Sequence, residues 1–204
     1  MAEKQTPRER RRARTAQAIL DAALAIIAEQ GLQALSIREI AQRIEYSPSG
    51  LYEYYASKDE ILDALIAQGL AQLNEMLAHV PSGESASEWL FAIGEAYLAF
   101  AREHEQLYAL IFGHIFSPSG LVTSLDQLQH NSAYGQLRHC IQTGVERGAF
   151  ILPSGESIEQ QVYSTWALLH GLAMLRMTRV SAVTGIDAIN QQVLRSAFAH
   201  LNRA

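Results

Sequence analysis

Apolar side chains recur at intervals of three and four residues along most of the chain, which is the spacing of one face of an α-helix. Residues 14 to 30 place five of them on one face: Ile19, Ala22, Ala23, Ile26 and Ile27. Gly31 follows as a candidate left-handed C-terminal cap. No apolar and polar alternation is long enough to indicate a sheet, so the pattern predicts an all-α fold of about nine helices.

Two short helices joined by a tight turn are predicted between residues 36 and 58. Ser36 can cap the first, and Glu39 three residues later completes a capping box. Ser47 can cap the second, with Pro48 in its first turn, where the missing proline N–H loses no hydrogen bond. The positions left for solvent carry Ser49, Gly50, Tyr52 and Tyr54. A short helix with small and hydroxylated side chains suits the reading of a DNA groove.

A long amphipathic helix is predicted next, because Ser57 and Glu60 form a second capping box. Breaks rich in Pro, Ser and Gly then separate further helices at residues 81–83, 117–120 and 153–155. A last capping box, Ser157 with Gln160, opens a helix that runs to Met177, and a final helix follows Gly185. The predicted boundary between two domains falls after residue 62.

Charge is distributed unevenly, although the 204-residue chain carries a formal net charge of -5. Residues 1 to 14 hold six basic and two acidic side chains, whereas residues 61 to 204 hold seven basic and twelve acidic ones. The basic end also carries the two short helices. A contact with phosphate or with the minor groove is therefore favoured over a tail that only keeps the protein soluble.

The order of these features resembles the DNA-binding domain of the TetR family of transcriptional regulators. The resemblance covers roughly residues 13 to 62 and is carried by helix one, Gly31, Ser36-Ile37-Arg38-Glu39-Ile40-Ala41, Ser47, Leu51-Tyr52, Tyr54-Tyr55 and Ser57-Lys58. Three positions depart from the family pattern. Glu45 stands where a turn glycine is usual, Gly50 where Thr is frequent, and Glu53 where a polar residue or His is common.

Contacts with bases are implied by the resemblance for four residues. Arg38, Ser49 and Tyr52 match positions that reach base edges, and Pro48 matches one that touches a thymine methyl group. Arg38 is the best candidate for guanine, through a bidentate contact with O6 and N7. The alternatives are that Arg38 pairs with a neighbouring glutamate and that Tyr52 packs against the scaffold.

Contacts with phosphates are implied for Ser36, Tyr54 and Lys58. Gly50 can add only its backbone N–H, and Ser47, at the start of the second short helix, is also expected among the DNA-binding residues. The N-terminus of the helix after Ser57 offers a favourable dipole for an oxyanion. Residues 1–62 are thus predicted to be a DNA-binding domain with a basic arm, and double-stranded operator DNA is the predicted partner.

The last two predicted helices are too apolar for a solvated exterior, since residues 163 to 177 are apolar around most of the circumference. The resemblance implies that they pair with those of a second subunit. The expected interface residues are Leu172, Leu175, Ile189, Val193 and Ala197. A homodimer is favoured over completion of the monomer core, because one helix-turn-helix reads too few base pairs and a symmetric pair reads two half-sites.

An effector site is predicted in residues 63–204, where aromatic residues concentrate on helices that converge. The expected lining is Tyr97, Phe100, Tyr108, Phe112, Trp166 and His170. An apolar cavity with a few polar groups is typical of small-molecule sites, and ordinary core packing is the alternative for each residue. Tyr97, Tyr108 and Trp166 carry polar atoms that could orient a small, mainly hydrophobic effector.

Other classes of function lack their sequence signals. The chain has no G-x-S-x-G, no P-loop and no G-x-G-x-x-G motif, no histidine pair with the spacing of H-E-x-x-H, and Cys140 as its single cysteine. No apolar run approaches the ~18 residues of a membrane span, and no cleavable apolar leader is evident. We therefore expect no enzyme activity, cofactor, metal or membrane contact, and a cytoplasmic location.

The function predicted from the sequence is that of a TetR-type repressor released from a palindromic operator by its effector. Repression is favoured over activation because no extra domain for contacting polymerase is recognisable. The alternative is a helical partner-binding protein without sequence-specific DNA recognition. That alternative does not explain why the second short helix carries only small side chains at Pro48, Ser49 and Gly50. It also does not explain why the same end of the chain is rich in arginine.

Overall fold

The structure is a computed structural model that describes residues 6–83, 85–113, 133–178, 180–199 and 201. Within these ranges it contains nine α-helices and no strand, which confirms the all-α prediction. The helices are α1 Pro7–Gln30, α2 Ile37–Arg43, α3 Pro48–Leu51, α4 Lys58–Ala78, α5 Ala86–Glu103, α6 Glu105–Gly113, α7 Ala133–Glu146, α8 Ile158–Arg176 and α9 Ile186–Ala199. A 3₁₀ turn at Leu32–Ala34 joins α1 to α2.

The predicted serine caps set the starts of α2, α3, α4 and α8. The Ser36, Ser47 and Ser57 hydroxyls each accept a hydrogen bond from a backbone N–H three residues on, over 3.1, 3.0 and 3.1 Å. The reciprocal capping box is complete at Ser157, because the Ser157 N–H also donates a hydrogen bond to Oε1 of Gln160 over 2.8 Å. Among the described contacts, Glu39 returns no such bond to Ser36, so the box predicted there is only half formed.

Helix α1 begins at Pro7, seven residues before the start that apolar periodicity predicts. Thr6 and Glu9 form a complete capping box around Pro7, so the basic segment continues the helix as exposed first turns. At the other end Gly31 has φ +82° and ψ 163°. This is a positive φ that favours glycine, but it is not the left-handed helical cap expected from the sequence.

The apolar core has two parts, and α6 touches both. One part lies among α1, α2, α3 and the first half of α4, and includes Ile19, Ile26, Ile40, Leu51 and Ile61. The other lies among α5, α7, α8, α9 and the end of α4, and includes Leu90, Phe100, Ile141, Leu169 and Leu194. Leu107 and Leu110 of α6 belong to the first part and Tyr108 to the second. A nine-residue helix thus connects the two cores.

Among the helices of the described ranges, none combines the length and the apolar character that a membrane span requires. The same ranges bring together no group of three or more His, Cys, Asp or Glu side chains that could hold a metal ion.

Candidate DNA interface and effector site

The predicted base-reading side chains lie on an exposed surface formed by α2 and α3. Leu51 is fully buried and anchors α3, while Pro48, Ser49 and Tyr52 are exposed, the last with 57% of its surface free. Arg38 is also exposed and forms no ion pair with any described residue, so the alternative pairing with a neighbouring glutamate is not formed. The exposure of Tyr52 likewise excludes packing against the scaffold.

Glu45 holds a strained backbone in the turn between α2 and α3. Its φ is +54°, and it is the one non-glycine residue with positive φ in the described chain. The turn closes through the Tyr46 N–H, which donates to the Ala41 carbonyl oxygen over 2.9 Å. The left-handed conformation costs an ordinary residue about 1–2 kcal/mol, which explains why a glycine would suit this position.

Gly50 leaves room for an aromatic ring on the surface of α3. A Cβ atom at this position would lie 2.5 Å from Cε1 of Tyr46 and 2.9 Å from Oγ of Ser47. Any larger residue, including the Thr frequent in similar sequences, would push the Tyr46 ring away. The glycine and the tyrosine four residues before it are therefore a matched pair.

Tyr54 is half-buried, where the sequence pattern predicted solvent exposure. Its ring meets the Tyr46 ring edge to face at 6.3 Å, and the guanidinium carbon of Arg12 lies 5.0 Å from its centroid. A hydrogen bond with Tyr54 raises the pKa of the Tyr46 hydroxyl above its usual value. Tyr54 thus joins α1 to the turn after α3. Lys58, the first residue of α4, follows four residues later and is partly exposed.

An open groove of about 450 Å³ runs between the first turns of α1 and the turn before α3. Its polar lining comes from Arg11, Arg14, Thr15 and Tyr46, and Ile44 forms part of its apolar wall. Two guanidinium groups beside a helix-turn-helix form a surface that can receive a phosphate. Individual residues of this groove were missed by matching motif positions, although the charge excess of the first fourteen residues points to them.

Five of the six predicted effector residues form one aromatic cluster. The Tyr97 and Tyr108 hydroxyls are 3.0 Å apart, and the Tyr108 hydroxyl lies 2.8 Å from Nδ1 of His170. Phe112 packs 4.7 Å from the Tyr108 ring, and the Trp166 ring lies 6.2 Å from that of His170. The cluster therefore joins α5, α6 and α8.

Phe100, the sixth predicted residue, is fully buried in the same core but packs its ring against His104 at 4.9 Å. Tyr134, which is not one of the six predicted residues, meets Trp166 edge to face at 5.8 Å. Both placements depend on contacts between distant helices. Cys140 is fully buried, and burial raises the pKa of its thiol to about 12, as expected for a small core side chain.

The hydrogen-bond chain has a preferred direction. Among the described contacts, the hydrogen-bond partner of the Tyr97 hydroxyl is the Tyr108 hydroxyl. If Tyr97 donates to Tyr108 and Tyr108 donates to His170, every hydroxyl proton has a partner. In the reverse direction the Tyr97 proton would have none among the described residues. The network therefore assigns the imidazole proton of His170 to Nε2.

Burial keeps this chain uncharged at neutral pH. It raises the pKa of Tyr97 to about 12, it raises the pKa of Tyr108 well above the usual value, and it lowers the pKa of His170. A neutral imidazole is the form that accepts a bond from the Tyr108 hydroxyl. The cluster thus consists of apolar rings joined by neutral polar groups.

Helices α8 and α9 expose apolar side chains after packing against α5. Leu175 and Ile189 are 56% and 50% exposed, whereas Leu172, Val193 and Ala197 are half-buried. A Cβ atom at Gly171, on α8, would have no neighbour within 4 Å. Arg176 at the end of α8 forms an ion pair with Asp187 at the start of α9, with 2.9 Å between Nε and Oδ1, which ties the two helices together. This apolar face has no covering within the described protomer.

Comparison with known proteins adds evidence of kinship across both parts of the chain. Residues 19–65 match the family model of bacterial regulatory proteins of the tetR family, and residues 90–196 match that of the tetracyclin repressor-like C-terminal domain. The class D tetracycline repressor of Escherichia coli is 25% identical over 173 residues, which are 82% of this chain and 69% of that protein.

Solved structures share the fold over almost the whole chain. A protein of unknown function from Rhodococcus sp. RHA1 superposes with a TM-score of 0.77 at 19% identity, over 92% of this chain and 95% of that one. A regulatory protein in the tetR family from Rhodococcus RHA1 superposes with a TM-score of 0.72 at 18% identity, over 93% and 97%.

Proposed function

The chain belongs to the TetR family of bacterial regulatory proteins, and on this basis we propose that it is a repressor, released from a palindromic operator by a small, mainly hydrophobic effector. Members of this family are transcriptional regulators rather than enzymes. They bind DNA and small-molecule effectors and act as dimers. The similar class D protein of Escherichia coli is itself a tetracycline repressor, which favours repression over activation here.

The observation that carries the proposal is the exposed surface of α2 and α3. Arg38, Ser49 and Tyr52 are accessible, and no described ion pair occupies Arg38. Arg11 and Arg14 open onto the groove beside this surface. A specific DNA complex requires groups that read base edges, which give sequence specificity, and cations that bind phosphates, which fix the register of the protein on the backbone. This surface provides candidates for both.

A palindromic operator follows from the proposed dimer. The exposed apolar residues of α8 and α9, Leu175 and Ile189 among them, would be covered by the same residues of a second subunit. A two-fold axis through that face places the two α3 helices symmetrically. Half-sites one DNA turn apart, about 34–36 Å, then match the symmetry of the protein.

The effector is proposed to occupy the cluster of Tyr97, Tyr108, Phe112, Trp166 and His170. The aromatic rings favour an apolar body, and Nε2–H of His170 is the donor at the end of the hydrogen-bond chain. The effector would therefore carry a hydrogen-bond acceptor, such as a carbonyl oxygen, on a mainly hydrophobic frame. A cation is disfavoured, because the imidazole and both phenols are neutral and offer it no counter-charge.

The route from this site to DNA is proposed to run through α6 and α4. Tyr108 of α6 belongs to the aromatic cluster, while Leu107 and Leu110 of the same helix pack in the core that supports α1 and α4. Gly69 of α4 lets Ile111 approach so closely that a Cβ atom would lie 2.8 Å from its Cδ1. A ligand that displaces α6 would therefore move α4 and change the separation of the two α3 helices in the proposed dimer.

The DNA-binding proposal is tested by selecting binding sequences from a random pool of duplex DNA. We expect a palindromic motif to be enriched and its affinity to fall steeply with salt, with a much smaller affinity for a scrambled duplex. Equal affinity for motif and scrambled DNA would reject sequence-specific recognition and leave a helical partner-binding protein as the function.

A thermal-shift screen tests the effector proposal. Hydrophobic compounds with and without a carbonyl acceptor are compared, because a ligand that binds only the folded state raises the melting temperature by mass action. A compound that binds through His170 should lose its shift in the His170→Phe variant. A shift that this variant retains would place the ligand elsewhere.

A further inference from the structure

Arg12 lies in the basic segment of α1, but its side chain is already engaged within the protein. Its Nη2 donates a hydrogen bond of 2.7 Å to the backbone carbonyl oxygen of Glu53, 41 residues away. Its guanidinium carbon also lies 5.0 Å from the centre of the Tyr54 ring. The neighbouring Arg11 and Arg14 instead line the open groove. The arginines of one helical segment therefore have two different environments.

The carbonyl oxygen that Arg12 binds lies just beyond the C-terminus of α3, the proposed recognition helix. Backbone carbonyls at such an end have no partner within the helix and carry partial negative charge. A guanidinium can donate to this oxygen and stack on Tyr54 at the same time because it is planar and has several N–H groups. A lysine ammonium at this site cannot keep both contacts.

The contact continues around α3 through aromatic rings. The Tyr54 ring supports Arg12 on one side and meets the Tyr46 ring at 6.3 Å on the other. Tyr46 in turn covers Gly50, where a Cβ atom would lie 2.5 Å from the ring. Arg12, Tyr54 and Tyr46 thus form a clamp from α1 across the recognition helix, which we call the Arg12 clamp.

We propose that Arg12 is a positioning residue for DNA recognition: it fixes α3 against α1 through the Arg12 clamp and does not neutralise a phosphate. The inference rests on the proposed DNA-binding function, and it separates Arg12 from Arg11 and Arg14, whose side chains face the groove. The Arg12 clamp also gives Tyr54 a role beyond the phosphate contact that its position implies.

Charge-conserving variants test the proposal on the selected operator. Arg12→Lys keeps the charge but breaks the clamp, so operator affinity should fall about tenfold while the slope of log affinity against log salt stays unchanged. Arg43→Lys is the matched control, and it should bind within about twofold of wild type because Arg43 of α2 pairs with Glu29 and takes part in neither the groove nor the clamp. Arg11→Ala should flatten the slope by about 0.9, the value for one lost phosphate contact, whereas Arg12→Ala should leave it unchanged.

Hydrogen exchange of the free protein provides a test that needs no DNA. Backbone amides of residues 50–55 should exchange faster in Arg12→Lys than in wild type, and those in Arg43→Lys should not. If Arg12→Lys binds operator as tightly as wild type, or if Arg12→Ala loses one phosphate contact from its salt slope, Arg12 acts on phosphate and the proposal is wrong. A wild type that selects no operator would refute the proposed function, whereas unchanged exchange in Arg12→Lys would refute the clamp.

Discussion

At the scale of single residues, Glu45 and Gly50 show how this chain departs from the pattern it resembles. Glu45 occupies a left-handed turn position that favours glycine, and Gly50 is small because Tyr46 lies against it. The first departure stores strain beside the DNA surface and adds negative charge there. The second departure leaves α3 without a side chain at Gly50, and the ring of Tyr46 packs over the helix there. Both change the surface that is proposed to bind DNA.

Replacing Glu45 with Gly should stabilise the protein. Relief of the left-handed conformation gains about 1–2 kcal/mol, and the greater freedom of glycine in the unfolded chain takes back about 0.5–1 kcal/mol, so we expect a net gain of about 0.5–1 kcal/mol in the free energy of unfolding. Urea denaturation measures this value. Glu45→Gln is the control, because it removes the charge and keeps the strain.

Both Glu45 variants should bind operator more tightly at low salt, since each removes a negative charge near phosphate. Only the glycine variant should gain stability. Equal unfolding free energies for Glu45→Gly and Glu45→Gln would show that the positive φ carries no strain that glycine relieves.

Arg38 and Lys58 should separate readout from anchoring. Arg38→Ala should weaken operator binding by about 1–3 kcal/mol and relax the preference at one base pair of each half-site, because a bidentate guanine contact is lost. Lys58→Ala should weaken all sequences alike and flatten the salt slope by about 0.9. Binding titrations on operator and scrambled duplexes measure both effects. Equal losses on the two duplexes for Arg38→Ala would reject its role in base recognition.

At the scale of helices, the sequence predicted what depends on neighbouring residues. The caps at Ser36, Ser47 and Ser57 join groups three residues apart, so their order in the chain is enough to identify them. The start of α1 was predicted too late, because the arginines after Pro7 show no apolar periodicity although Thr6 caps them. Local hydrogen bonding fixed that helix end where hydrophobic spacing gave no signal.

Contacts between distant helices could not be predicted in the same way. The bond from Arg12 to Glu53 and the bond from Tyr108 to His170 join residues 41 and 62 positions apart. Each depends on how whole helices pack, and nothing in the local sequence specifies it. The sequence therefore predicted which residue types would cluster, and the structure shows that Tyr97, Tyr108 and His170 form a hydrogen-bonded chain while Phe100 does not.

The exposed face of α8 and α9 predicts the effect of a charge at Leu175. Leu175→Glu should place two carboxylates across the proposed two-fold interface, where a desolvated unpaired charge costs about 3–5 kcal/mol and weakens the dimer at least about a hundredfold. Leu70→Glu is the matched control, because Leu70 is an exposed leucine on α4 at 38%. Analytical ultracentrifugation should show monomers for the first variant and dimers for the second. A wild type that is monomeric at micromolar concentration would refute the interface.

At the scale of the whole molecule, α6 is the element through which the two cores can influence each other. Its nine residues place Tyr108 beside His170 and Leu107 and Leu110 beside the helices that hold the DNA-reading surface. Packed cores have discrete arrangements rather than a continuous range of shapes, so we expect a displacement of α6 to be passed to α4 instead of being absorbed. We therefore propose that this one short helix couples effector binding to the geometry of the DNA-reading surface.

The last prediction follows from this link and concerns effector and operator together. An effector that binds the arrangement unable to hold DNA should lower operator affinity about 5- to 150-fold, which corresponds to a coupling of ~1–3 kcal/mol. Operator DNA must then weaken effector binding by the same factor, because coupling between two binding sites is reciprocal.

Reciprocal titration measures both factors: operator affinity with and without the effector, and effector affinity with and without the operator. The His170→Phe variant is the control, because it should lose the effector effect while it keeps wild-type operator affinity in the absence of effector. An effector that raises operator affinity would indicate an activator or a corepressor-dependent repressor. An effector that binds at His170 and leaves operator affinity unchanged would show that the aromatic cluster is not coupled to DNA through α6.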